Sequence, residues 1–134
     1  MSAGQRPLEL IHARNLVTGL STPAFLVDSS GDLAFYNDAA GALLGRRFEE
    51  MGPSATEEWG AAFPALDEQG NPLPPDSLPL VRALREQRPA AGNLRFRAAD
   101  GAEHDIHVSA IPIVTSVGMH GALALFWPSG DEDA

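Results

Sequence analysis

The segment Glu103-His-Asp-Ile-His107 places two imidazoles and two carboxylates within five residues. Those groups can ligate a metal or carry a proton between reactants. Their spacing argues against joint action. The segment alternates like a strand, and residues three apart on a strand face opposite ways. His104 shares the face of Ile106 and Val108 and could reach an interior pocket, where a single neutral imidazole would bond a ligand. His107 lies with Asp105 and Ser109 on the other face. His12 falls on a helix surface and His120 in a turn. Asp28, Asp32, Asp67 and Asp100 all sit in turn sequences, where a short carboxylate bonds the nearby backbone. No catalytic carboxylate pair and no metal site emerge. No Gly-x-Ser-x-Gly elbow surrounds a serine, and without a lysine the chain has no phosphate-cradling Gly-Lys loop. The catalytic expectation is therefore none.

Composition narrows the field further. The 134 residues make one domain, and a 44% hydrophobic content supports a core. Eighteen acidic against nine basic side chains leave a net charge of -9, which disfavours nucleic acid and anionic lipid as partners. The absence of cysteine excludes disulfides, thiolate metal sites and any sulfur-linked chromophore. No apolar run is long enough to span a bilayer, and the start lacks a signal-peptide layout, so a cytoplasmic location is expected.

The elements that must position these residues follow from periodicity and punctuation. Pro7 to Leu20 reads as an amphipathic helix, closed by Gly19, Ser21 and Pro23. Its residues Leu8, Ile11, Leu16 and Leu20 form an apolar stripe to be buried on its own sheet or on a second chain. Ala24–Asp28 and Leu33–Tyr36 are expected as a hairpin around Gly31. Asn37-Asp38 caps a helix over Ala39–Leu44 that Gly45 stops. Trp59 and Phe63 suit a further helical turn. Asp67–Asn71 is a turn, prolines keep the next stretch extended, and Asp76 or Ser77 caps a helix ending near Arg88, with Arg82 paired to Glu86. Asn93–Ala98 and Glu103–Ile111 form a hairpin about Asp100-Gly101, with Pro112 ending the pairing or marking a bulge. Gly121–Trp127 is apolar on both faces and belongs in the middle of a sheet.

Three landmarks in this order resemble the PAS sensor-domain family, in its stand-alone bacterial form. They are PAFLVDSSGDLAFYN at 23–37, DEQGNPLPPDSLPLVRAL at 67–84, and DGAEHDIHVSAIPI at 100–113 with GALALFW at 121–127. The resemblance covers roughly Leu16 to Trp127. It implies an α+β fold, a five-stranded antiparallel sheet with helices on one face and an N-terminal flanking helix. The organisation is then a flanking helix over 1–20, a PAS-like domain over 21–128 and an acidic tail over 129–134. It also implies a sensory or adaptor role in signal transduction, without enzyme activity. A small apolar ligand would sit between sheet and helices, and a homodimer would form through Leu8, Ile11, Leu16 and Leu20. Output to a separate signalling protein is expected, because no effector segment follows the last strand. The pocket wall is expected from Phe25, Val27, Phe35, Leu44, Leu80, Leu84, Phe96, His104, Val108, Leu123 and Leu125. Tyr36 and Asn37 would be polar anchors, with Arg95 and Ser109 as further candidates. The family's haem type places a histidine on the long helix, which here has none, and its flavin photosensors use a cysteine. The cofactor is thus left unknown, with haem- or flavin-binding sensing and a purely structural dimerisation module as the alternatives.

Overall fold

A computed structural model describes residues 8–129. The expected flanking-helix residues 1–7 and tail residues 130–134 lie outside the described residues. The chain order is α1 (Leu8–Thr18), β1 (Ala24–Asp28), β2 (Leu33–Tyr36), α2 (Asp38–Leu44), α3 (Phe48–Met51), α4 (Thr56–Ala62) and β3 (Ala65–Leu66). A 3-10 turn (Pro75–Ser77), α5 (Pro79–Glu86), β4 (Ala90–Arg97), β5 (Glu103–Thr115) and β6 (Gly118–Pro128) complete it.

The strands form one antiparallel sheet of six in the order β2-β1-β6-β5-β4-β3. The expected five are joined by the two-residue β3 at the edge. β6 is central, as its two apolar faces require. Register defines the two faces. Phe25 pairs with Ala124, Ala124 with Ala110, and Phe126 with Val108, so these look one way. Leu26 pairs with Leu123 and with Phe35, and these look the other way.

Helices α2 to α5 contribute side chains on the Phe25 face, and α1 crosses the opposite one. The helix buries Leu10 and Val17, seven residues apart along a single stripe, while Leu8, Ile11, Leu16 and Leu20 stay exposed at 60, 44, 67 and 40%. The chain's own sheet thus covers only part of the helix's apolar surface. Arg14 completes the seating, its guanidinium 4.4 Å above the Phe35 ring. Gly121 permits close approach, since a Cβ there would stand 2.2 Å from the Val27 carbonyl oxygen and 3.0 Å from Leu10.

Several local expectations change. Pro112 does not end β5, which continues to Thr115 with Pro112 opposite Ala122, but the alternative of a bulge is nearly met, since the β5–β6 register shifts one residue later between Ile113 and Val114. The β4 ladder stops at Ala90–Ala110, so one side of β5 has no partner there and a missing N–H is tolerated. Neither Asp76 nor Ser77 caps α5, whose N-cap is Leu78 followed by proline. Asp76 pairs with Arg85 at 2.9 Å, and Ser77 Oγ donates to Pro74 O. Glu86 pairs with Arg88 instead of the expected Arg82.

Candidate functional site: an apolar cavity between sheet and helices

Short residues create the space. Where β5, β6 and β1 lie side by side, Ala110, Ala124 and Ala122 occupy successive positions on the Phe25 face. Of the three, Ala124 borders the cavity, and aromatic rings stand around it. The result is a cavity of about 100 Å³. Its wall comprises Phe25 from β1, Leu44 from α2, Trp59 and Phe63 from α4 and its end, and Ala65 from β3. Leu78, Pro79 and Leu80 close it from the start of α5, and Leu94, Phe96, Ile106, Val108, Ala124 and Phe126 close it from the sheet. Trp59, Ala65, Leu78 and Leu94 keep some solvent contact, which places the mouth between α4, β3 and the start of α5.

The rings meet at defined angles. Trp59 packs edge-on to Phe25 at 5.1 Å between centroids, and Phe96 edge-on to Phe126 at 6.5 Å. The lining side chains carry a single polar atom, Trp59 Nε1. It donates to Gly31 O at 3.0 Å, so it is satisfied outside the cavity. Thr56 Oγ1 donates to the same carbonyl at 2.8 Å, and Thr56 N donates to Asp32 Oδ1 at 3.0 Å. Helix α4, one wall of the cavity, is therefore clipped to the turn between β1 and β2.

Of the expected wall, Phe25, Leu44, Leu80, Phe96 and Val108 line the cavity. The others lie elsewhere, each for a physical reason. Leu123 and Leu125 face α1's side of the sheet, and Ala124 and Phe126 take the cavity positions. Phe35 pairs with Leu26 on that same outer face beneath Arg14. Val27 shares the Phe25 face but is fully buried and forms no part of the lining. Leu84 packs at the β1–β2 turn, 3.7 Å from where a Gly31 Cβ would lie. His104 stacks on Phe96 at 5.2 Å, beside the wall and not in it.

The polar anchors are committed to the backbone. Tyr36 lies parallel to Phe25 at 5.8 Å, and its hydroxyl donates to Arg46 O at 2.6 Å. Burial pushes this phenol up to about 12, against a smaller opposing pull from Arg46. Asn37 is 2% exposed. Its Oδ1 accepts from Ala24 N at 3.1 Å and Ala40 N at 3.0 Å, and its Nδ2 donates to Val17 O at 2.9 Å and Thr22 O at 3.0 Å. Arg95 bonds Asp105 at 2.7 Å on the outer face, holding that carboxyl below its usual range. His107 and Trp127 are opposite each other on the same face, as are Ser109 and Leu125. Among the described residues no group of three or more His, Asp or Glu is placed to hold a metal ion.

Trp59, Phe63, Ala65, Leu78, Pro79, Leu94, Ile106, Ala124 and Phe126 are lining residues that the sequence-based wall omits. Leu94 and Ile106 were legible through alternation with Phe96 and Val108. The parity of β6 was not, since both its faces are apolar.

A flavin or a porphyrin does not fit this cavity. Pockets for drug-sized molecules begin at roughly 300 Å³ and supply placed polar groups. This one holds about 100 Å³ and offers no free side-chain donor or acceptor.

No family model matches the sequence, and no curated protein matches it. Solved structures do resemble it. A PAS domain from Colwellia psychrerythraea superposes with a TM-score of 0.61 at 18% identity, covering 89% of this chain and 95% of that one. The PAS domain of nitrogen regulation protein NR(II) from Vibrio parahaemolyticus gives 0.60 at 14% identity, covering 87% and 96%. The Rhodobacter sphaeroides LOV protein gives 0.70 at 14% identity, covering 92% and 69%. With the strand order, the helices on one face and the flanking α1 on the other, these similarities establish that the chain has the PAS fold.

Proposed function

We propose that this chain is a sensory or adaptor module in signal transduction, acting by recognition and not by turnover. It takes a small apolar ligand into the cavity and communicates through protein contact. The observation that carries this reading is the wall itself. Trp59 faces the cavity on one side and bonds the β1–β2 turn on the other, so an occupant bears directly on a helix tied to the sheet. The fold's solved neighbours include a nitrogen regulation protein and a two-component sensor histidine kinase, both signalling contexts.

The contact surface is the outer side. Leu8, Ile11, Leu16 and Leu20 of the α1 segment and Ile111 and Trp127 of the sheet are exposed there. A homodimer through this surface, with a separate signalling protein as effector, completes the proposal, and the location is cytoplasmic. Among the described residues no helix is long and apolar enough to cross a membrane. Native mass spectrometry of the purified chain tests the reading. A ligand-bearing dimer is expected, and a strict monomer that captures neither ligand nor partner would overturn it.

A further inference from the structure

We infer that the cavity selects an uncharged molecule no larger than a single substituted aromatic ring and without hydrogen-bonding groups, a toluene-like hydrocarbon. This rests on the sensory reading above and specifies its ligand class.

Size sets the first limit. A dry apolar cavity of about 150 Å³ is large enough to take benzene. The cavity here is about 100 Å³ and has a mouth through which a substituent can project. This smaller volume makes one ring, with its substituent in the mouth, the upper limit, and a fused polycycle does not fit. Chemistry sets the second limit. The lining side chains are hydrocarbon apart from the Trp59 indole, whose N–H already donates to Gly31 O. A ligand hydroxyl in the interior would lose its water partners and find none in exchange. A carboxylate would lose far more, and no cation lines the wall to offset it. Two titratable groups lie opposite wall residues on this face: His104 is held against the Phe96 ring at 5.2 Å, and Tyr36 lies against Phe25 at 5.8 Å with its hydroxyl donating to Arg46 O. Shape sets the third limit. The rings of Phe25, Trp59, Phe63, Phe96 and Phe126 surround a floor that includes Ala124, and such edges and faces suit a planar aromatic guest.

The test uses the full chain with Trp127→Phe, so that Trp59 is its only indole. Toluene, phenol and benzoate are titrated while Trp59 fluorescence and the melting temperature are followed. Toluene is expected to bind saturably at one per chain and to raise the melting temperature. Phenol should bind roughly 10- to 100-fold more weakly, and benzoate should give no response. Ala124→Leu, which grows from the floor into the cavity, should abolish the toluene response with the circular dichroism spectrum kept. Leu94→Phe fills from the rim and serves the same purpose should Ala124→Leu fail to fold. Phenol or benzoate binding as tightly as toluene, and blocked by the filling variants, overturns the ligand class and leaves the sensory cavity standing. A toluene response that survives both filling variants overturns the site. No response to any of the three molecules overturns the inference and the apolar-ligand reading together.

Discussion

Asn37 joins three parts of the chain with one buried amide. Its oxygen serves the first turn of α2 and the start of β1, and its nitrogen serves the carbonyls of Val17 in the last turn of α1 and of Thr22 beyond it. Asn37→Ala takes this partner from Ala24 N, Ala40 N and Thr22 O, while Val17 O keeps its bond from Leu20 N, and with the cap lost a destabilisation of roughly 2–4 kcal/mol is expected in urea unfolding. Asn37→Asp separates the two roles. It keeps both acceptor bonds and removes the donor, so α2 should persist while amide hydrogen exchange rises over α1 and the 19–22 linker. Sequence placed this residue before a helix and so disclosed the cap. It could not disclose the bonds to residues 17 and 22, which exist only because α1 returns across the sheet. Tyr36 was likewise legible as a hydroxyl, yet its commitment to Arg46 O depends on the turn after α2. Its pH signature follows from its environment. The folded phenol titrates at about 12 against 10.0 for the unperturbed group. Below the lower value both folded and unfolded states keep the proton and the contribution is complete. Between the two, the unfolded chain releases its proton first, so stability falls as pH rises. Unfolding free energy measured from pH 8 to 12 should decline across that window in the native chain. Tyr36→Phe should remove the component of that decline that comes from this phenol.

Helix α1 carries apolar residues on two sides, and only one side meets the sheet. Leu10, 1% exposed, should lose about 2–5 kcal/mol on truncation to alanine, while Leu16→Ala, at 67% exposure, should stay within about 0.5 kcal/mol for the isolated subunit. Equal losses at the two positions would mean that the helix is seated differently. Gly121→Ala probes the same junction from the sheet. A methyl group 2.2 Å from the Val27 carbonyl oxygen must force β6 from β1 or lift α1, and a large drop in melting temperature is expected. The expected hairpin strands 24–28 and 33–36 coincide with the observed ones because turn residues bracket them on both sides. The alternation of β4 against β5 was legible for a related reason: Arg95–Asp105 and Arg97–Glu103 mark one face as wet. β6 offered no such marker. Covered by helices on one side and partly by α1 on the other, it shows apolar residues at every position from 122 to 127, and side-chain size alone points the bulkier leucines inward. The inward positions are Ala122, Ala124 and Phe126, and the short Ala124 leaves space at the cavity that a leucine would fill. The α1 stripe of residues 8, 11, 16 and 20 was expected to meet either this sheet or a second chain; the sheet takes 10 and 17 and leaves those four exposed within one subunit.

The order of elements across the molecule was readable because each is short and punctuated by glycine or proline, and that order sufficed for the fold. What covers the outer face was not readable, since an apolar residue has the same identity whether its partner is the same chain or another. Physical chemistry nonetheless separates the cases. Each copy carries a net charge of -9, so two copies repel at long range. Leu8, Ile11, Leu16 and Leu20 are apolar, so what draws the copies together is burial of hydrocarbon. Added salt screens the repulsion, with a Debye length of about 10 Å at 0.1 M shrinking to about 3 Å at 1 M, and leaves the hydrophobic contact intact. The proposed dimer should therefore tighten as salt rises, opposite to an interface held by ion pairs. Sedimentation velocity across that range measures this directly. Leu16→Asp places a further negative charge in the centre of the contact and should give monomers at every salt concentration, with the monomer's unfolding free energy little changed because the residue is exposed within one subunit. Trp127→Asp separates the contributions of helix and sheet. Dissociation by both variants assigns the interface to the whole outer face, dissociation by Leu16→Asp alone confines it to α1, and an unaltered mass for both removes this surface as the site of self-association.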